Sequence, residues 1–521
     1  MKEFRCNLLF GFCLVMLMLI TTIPSLVPAE VMAAQTGDVV YAVGSSAFNR
    51  VGGDPATFSG GGGPSVSHTV FDGLTIEDWD KRDVPAIAKS WEVAPGWKHV
   101  DFFLRDDVEF HDGIQVTAED VKFSFETYNR KDLKFIFSPL WRRRIKSVEV
   151  VNPYHVRVHL NEAYMGFWGQ FGFGGGVLPK KYRERVGDKG FADKPIGTGP
   201  FKWVDYKQDV YWKVEAVQNH YRHTPEYKTL KFIYVPEHST RLAMLKSGEA
   251  DIVSLIGPLV PQVKADPNLR IVSSKYVTGT VLAYADLFSR RRGPSPFHDI
   301  RVRKAASLAV DRKIICEKIL FGTAEPYGEV LAPVTLGYDP SVKPDPYDPE
   351  AAKALLAEAG YPKGFETTIN TNKINKFWTE AVAANLADVG IKAKVELYEG
   401  GTWVKAFRSR KLRGLVSTVS FYNALREGPA NLSNFYVQIM PWCYVSTREI
   451  SAAVIKAGWS MTEEDIADWD RKISKLIRES RINMHLWANH TPYGVGPRIE
   501  FYKPKAGSTP TQAYEYIRLR R

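Results

Sequence analysis

Cysteine is scarce in this chain: 521 residues hold four, Cys6, Cys13, Cys316 and Cys443. Two lie in the first 34 residues, so at most one disulfide can form in the rest, and no framework of bridges holds the fold together. Long apolar runs are equally scarce. The unbroken one, Leu8 to Ile20, is short of the roughly 20 residues that a membrane-spanning helix needs. Reaction signatures are missing too. There is no Gly-x-Ser-x-Gly elbow, no Ser-x-x-Lys, no His-Glu-x-x-His and no Gly-Lys-Ser/Thr loop, which removes the common local marks of hydrolases, metalloproteases and P-loop enzymes. Gly60 to Gly63 form a glycine cluster, but without the following Lys-Ser/Thr it reads as a loop and not as a phosphate cradle. Long runs of one charge are also lacking. The net charge is +11, yet the densest basic runs, Arg142 to Arg144 and Arg290 to Arg292, are three residues long, so the basic residues read as a solvated surface and not as a nucleic-acid track.

What is present is the composition of a folded globular chain: 45% hydrophobic, 12% aromatic and 24% charged. Its length exceeds one ordinary core, so two or three domains are expected. Lys2 and Arg5 precede the Leu8 to Ile20 run, and small residues follow at Ala33 and Ala34. That order predicts a secretory signal over 1–34 and export to the periplasm. Cys13 follows Phe12 inside the apolar run, so the small-small-Cys pattern of a lipoprotein is absent. Lys2, Arg5, Glu3 and Glu30 leave together, and the charge stays at +11.

Val108 to Glu126, VEFHDGIQVTAEDVKFSFE, carries the strongest local instructions. Val108 and Phe110 alternate with polar residues as in a half-buried strand, and Asp112-Gly113 forces a turn. Thr117 with Asp120 three residues on predicts a capped helix, whose apolar face is Val121, Phe125 and Tyr128. Similar reasoning predicts a hairpin around Asn152-Pro153, a tight turn into a strand at Lys194 to Trp203, and a strand, helix, strand order from Leu230 to Val253. Asp348 and Pro349 open a helix that Gly360 ends, and Thr462 opens another with Ile466, Trp469, Ile473 and Leu476 on one side.

As text, several of these stretches resemble the family 5 extracellular solute-binding proteins, the peptide, nickel and opine receptors of ABC importers. The matches are FHDG with TAEDVKFSF in 110–125, KPIGTGPF in 194–201, STRLAMLKSGEADIV in 239–253, and the segments SPFHDIRVRKAASLAVDRKII and YDPEAAKALLAEAGYPKGFE. They run in the family's order from about Val70 to Glu399 and weaken beyond Gly400.

The resemblance implies an α/β, two-lobed periplasmic-binding-protein fold of class II type with an extra inserted α+β domain. Mapped here, lobe I is residues 35–78, 194–277 and 488–521, the inserted domain 79–193 and lobe II 278–487. Hinges fall near Tyr276 to Leu282 and His485 to Pro492. It implies a monomer that captures a small solute and hands it to an ABC permease at the inner membrane, with no cofactor, no resident metal and no nucleic acid. In peptide-binding relatives an acidic residue of lobe II pairs the ligand's ammonium. The corresponding stretch, SFYNALREGPANLSNF at 420–435, lacks the Asp before Pro, has Phe421 where Trp is expected, and keeps Glu427 as its lone carboxylate. Candidate ligand contacts are therefore Phe421, Tyr422, Asn423, Arg426 and Glu427, with Trp403 in the helix expected over Trp403 to Arg410, the Gly-aromatic stretch carrying Trp168, Phe171 and Phe173, and Asn49 between Phe48 and Arg50. The alternatives are a nickel or metal-complex receptor using His220 and His223, a chaperone-like binding protein, or an enzyme.

Overall fold

The structure is a computed structural model that describes residues 37–44, 53–57, 63–133, 135, 138–162, 175–287, 293–422, 428–506 and 513–520. After β1 (Asp38–Val43), residues 75–160 build a small α+β unit. β2 (Thr75–Glu77) and β3 (Asp83–Pro85) pair as a hairpin, and β4 (Ala88–Val93), β5 (His99–Leu104), β6 (Ile145–Asn152) and β7 (His155–Leu160) form an antiparallel sheet in the order β4-β5-β7-β6. Helix Ala118–Tyr128 packs on β6 and β7. It starts as its sequence dictates: the Thr117 N–H donates to Asp120 Oδ2 at 3.0 Å, and the Thr117 hydroxyl donates to the same oxygen at 2.9 Å. The strand expected at Val108 to Phe110 is smaller than its alternation suggested. It is one bridge, Glu109 to Gln115, because the Asp112-Gly113 turn folds the chain back before a second pair can form.

The turn at Gly197 to Pro200 lies where two backbones nearly touch. A Cβ on Gly197 would sit 2.0 Å from the Val70 carbonyl oxygen, and one on Gly199 2.6 Å from that of Thr69. Only glycine permits this approach, so the motif is a packing device. The chain continues through β8 (Phe201–Lys207), β9 (Tyr211–Ala216), β10 (Thr229–Tyr234), β11 (Ile252–Ser254) and the long β12 (Arg270–Tyr284). Then come β13 (Ala324–Pro326), β14 (Phe365–Asn372), β15 (Ile391–Tyr398), β16 (Leu415–Tyr422), the long β17 (Asn483–Val495), and the pair β18 (Ile499–Phe501) and β19 (Arg518–Leu519).

Among the described residues, eleven of these strands make one sheet in the order β15-β14-β16-β12-β17-β11-β1-β10-β9-β8, with β13 added on β17. The inner strands of each half are covered on both faces. In one half Val39 and Tyr41 point into a core shared with the α+β unit, while Ala42 and Val253 meet Leu242 and Leu245 on the other side. In the other half Leu415 and Leu282 face one helical layer, and Val416 and Ala283 the opposite one. Strands covered on both sides read as near-continuous apolar runs, as TVLAY does here. Helix Pro349–Glu358 is capped by Asp348 and stops before Gly360 at φ +89°. Thr462 accepts from the Asp465 N–H at 3.1 Å to open Glu463–Ser480, whose Ile466 and Ile473 are buried. Cys316 and Cys443 are both buried free thiols, and burial pushes each up to about 12.

Candidate functional site

Two groups of parallel strands point their carboxyl ends at the same place. β1, β10 and β11 are parallel and end at Val43, Tyr234 and Ser254; β14, β15 and β16 are parallel and end at Asn372, Tyr398 and Tyr422. Ser254 lies opposite Tyr493 of β17, and Tyr422 opposite Thr278 of β12. The ends therefore approach the middle of the β12 and β17 pair from opposite directions. In open α/β sheets ligands bind outside the carboxyl ends of the strands, where loops diverge and backbone groups are free. That middle is the candidate site.

One side chain organises the rim on the β1 side. Arg241 is 1% exposed and donates from Nε to the Ser254 carbonyl at 2.7 Å, from Nη1 to those of Pro236 at 3.1 Å and Val235, and touches His238 Nδ1. A Cβ on Gly44 would fall 2.5 Å from its Nη1. The ends of β1, β10 and β11 thus close around one guanidinium, whose planar fork satisfies several carbonyls at once. Behind this rim, Arg222 bridges Asp72 (2.7 Å) and Glu515 (3.0 Å), and the Tyr221 hydroxyl donates to Asp72 at 2.6 Å. Burial alone would raise the Asp72 carboxyl; Arg222 and His220 outweigh it and hold the group well below the usual carboxylate range.

The opposite rim follows β14 and β15. Asn372 accepts from the Asn375 N–H at 3.1 Å, and Asn375 donates to Ser417 Oγ at 3.3 Å. Lys373 pairs with Glu399 at 2.7 Å, and Ile374 beside it is 82% exposed. Between the rims, β12 and β17 lose register. Asn489 donates to the Thr278 and Thr280 hydroxyls at 2.9 and 2.7 Å. Gly279 lies against the next strand, where its Cβ would meet Ser420 Oγ at 2.2 Å and the Phe421 ring at 2.6 Å.

The predicted contacts divide. Phe421 is buried beneath this floor with Tyr327, Ala332 and Ala488, its ring 5.7 Å from that of Tyr327. Trp403 is half-buried in helix Gly400–Ser409, 5.9 Å from Tyr398 and 5.6 Å from Phe407. Tyr422 closes β16, and its side chain lies outside the described residues, as do Asn423, Arg426, Glu427, Trp168, Phe171, Phe173 and Asn49 with Phe48 and Arg50. His220 and His223 do not converge: His220 Nε2 is 2.8 Å from the Thr198 carbonyl oxygen, and His223 stacks on Tyr516 at 4.2 Å. Among the described residues no group of three or more His, Cys, Asp or Glu side chains is arranged to hold a metal ion. Sequence reading missed Arg241, and it placed 276–280 and Asn489 in the hinges without naming them as contacts. Gly279 inside an apolar strand was the available signal, since a strand glycine marks close approach.

Comparison with known proteins identifies the family and the fold. The family model described as bacterial extracellular solute-binding proteins, family 5 middle, matches residues 84–436. Heme-binding protein A of Haemophilus influenzae is 29% identical over 376 residues, covering 66% of this chain and 68% of that protein. Di/tripeptide-binding protein 1 of Pseudomonas aeruginosa is 28% identical over 426 residues, covering 73% and 76%. Among solved structures, HbpA2 from Haemophilus parasuis superposes with a TM-score of 0.80 at 21% identity, covering 93% of this chain and all (100%) of that one. DppA from Helicobacter pylori, in complex with the peptide STSA, superposes with a TM-score of 0.73 at 24% identity, covering 93% and 98%. These likenesses establish the two-lobed binding-protein fold.

Proposed function

Since the chain belongs to the family 5 bacterial extracellular solute-binding proteins, we propose that it is the periplasmic receptor of an ABC importer. It captures a small solute between two lobes and delivers it to the inner-membrane permease. The lobes are residues 35–78, 194–277 and 488–521 on one side and 278–487 on the other, with 79–193 inserted and 1–34 removed on export. The observation that carries this reading is the approach of the ends of two groups of three parallel strands, from opposite directions, to the middle of the β12 and β17 pair. A solute touching both rims stabilises the closed arrangement by the contacts it makes only there. No bond is made or broken, and one copy of the chain suffices.

The solute is a peptide-like or other polar organic molecule. Named relatives take heme, di- and tripeptides or glutathione, and the rims here offer the Asn372, Asn375 and Lys373 polar groups beside exposed Ile374. Native mass spectrometry of the exported protein tests the reading: a small molecule should be retained, and should bind saturably to protein stripped of it. Turnover of that molecule, or the absence of any saturable ligand combined with tight binding to unfolded proteins, overturns it.

A further inference from the structure

The two long strands are interrupted where they pass between the rims. Ser274 pairs with Thr491 and Thr278 with Asn489, so residues 275–277 of β12 face the single residue His490 of β17. Tyr276, in the middle of this bulge, has φ +53°, a left-handed backbone that a tyrosine adopts only when its surroundings impose it. What holds it is a side chain. The Tyr276 N–H donates to His490 Nδ1 at 3.1 Å, and His490 Nε2 lies 3.3 Å from Glu325 Oε2 on β13. The Tyr276 ring meets the imidazole edge-on at 5.5 Å and the Tyr327 ring at 5.9 Å, and Tyr327 in turn touches Phe421 at the carboxyl end of β16.

We propose that His490 is a latch on the inter-lobe hinge, closed only while its ring is neutral, so that hinge geometry and solute affinity depend on pH. This rests on the reading that the protein works by lobe closure. The geometry fixes the tautomer. Nδ1 accepts a backbone proton and so carries none, and the ring's own proton is on Nε2, aimed at the Glu325 carboxylate. A second proton would have to go on Nδ1, where it would point at the Tyr276 N–H, two donors facing each other. The latch therefore opens on protonation.

The groups facing the ring are Glu325 on β13 and the Asn489 backbone, which favour the charged form, and Lys275 on β12, which opposes it; the Tyr276 N–H and ring complete its surroundings. Burial dominates and lowers the imidazole below its ordinary value. The sign follows: the released ring has an ordinary pKa of about 6.5, the latched ring a lower one. The latch is intact above that range and is lost progressively as pH falls through and below it.

Spin labels on Lys246→Cys and Glu380→Cys, both at exposed helical positions on opposite sides of the hinge, report the distance without any solute. The buried Cys316 and Cys443 stay unlabelled. The distance distribution should be narrow above neutrality and broaden in acid. His490→Asn, which keeps an acceptor near Nδ1 but does not titrate, should stay narrow throughout, and His490→Phe should be broad throughout. An unchanged wild-type distribution in acid overturns the latch, as does a His490→Asn variant that broadens like the wild type. Should either variant fail to fold, nitrogen-15 spectra of the wild-type histidines decide. Nδ1 unprotonated above neutrality, taking its proton as the distances broaden, supports the latch; the opposite tautomer refutes it. Failure of any solute to change the distance would overturn the closure reading instead, and is read separately from the pH series.

Discussion

At the scale of single residues, the chain is held by a few side chains whose environments leave little freedom. Gly279 has no room for a methyl group, with Ser420 Oγ and the Phe421 ring inside contact distance of its ideal Cβ. Gly279→Ala should cost about 1–3 kcal/mol by overpacking, seen as a lower urea midpoint, and should weaken solute binding by displacing Phe421. Asp72 is a second such residue. Removing its charge by Asp72→Asn leaves the buried Arg222 sharing only Glu515, and should cost about 3 kcal/mol. The same pair sets an acid limit: because the Asp72 carboxyl lies below its ordinary range in the fold, its contribution is present above about pH 4 and lost as pH falls further, so the wild type should lose stability in acid more steeply than Asp72→Asn. Gly279 left a signal in the sequence as a glycine inside a strand, but the Asp72 and Arg222 pair left none. Asp72 and Arg222 are far apart along the chain, and a buried pair has no local pattern to betray it.

At the scale of elements, legibility followed sequence separation. Helices that announce themselves through neighbours one to three residues away, such as Thr117 with Asp120, Asp348 with Pro349, and Thr462 with Asp465, begin where the side chains dictate. Thr462→Ala should therefore lower stability by about 1 kcal/mol, measurable by denaturant unfolding. Strands fared less evenly. The strand read at Val108 shrank to a bridge because the turn beside it leaves one pair. The full length of β12 and β17 could not be read, since their register is set by each other across some two hundred residues and is broken by the bulge at 275–277. The pairing of β13 with β17 has the same cause and no local signal.

At the scale of the whole molecule, what the ligand meets is decided by which loops the two halves of the sheet bring together. The family resemblance placed the candidate site after β16, and the Tyr422 terminus of that strand does reach the middle of β12. The segment beyond it, 423–427, carries the sequence's departure from the peptide-binding pattern: no Asp precedes Pro429, and Glu427 is its one carboxylate. A free peptide ammonium needs a charge partner once desolvated, because an unpaired buried charge is expensive. Without that partner, di- and tripeptides should bind with Kd near or above about 1 mM, equivalent to roughly 4 kcal/mol, in a calorimetric panel. Micromolar peptide binding abolished by Glu427→Ala would reverse this and make Glu427 the ammonium partner. Solution scattering separates the remaining cases. A solute held by both rims should reduce the radius of gyration at saturation, whereas one bound to a single rim leaves the lobes where they were, since only contacts that differ between the open and closed states can shift that equilibrium.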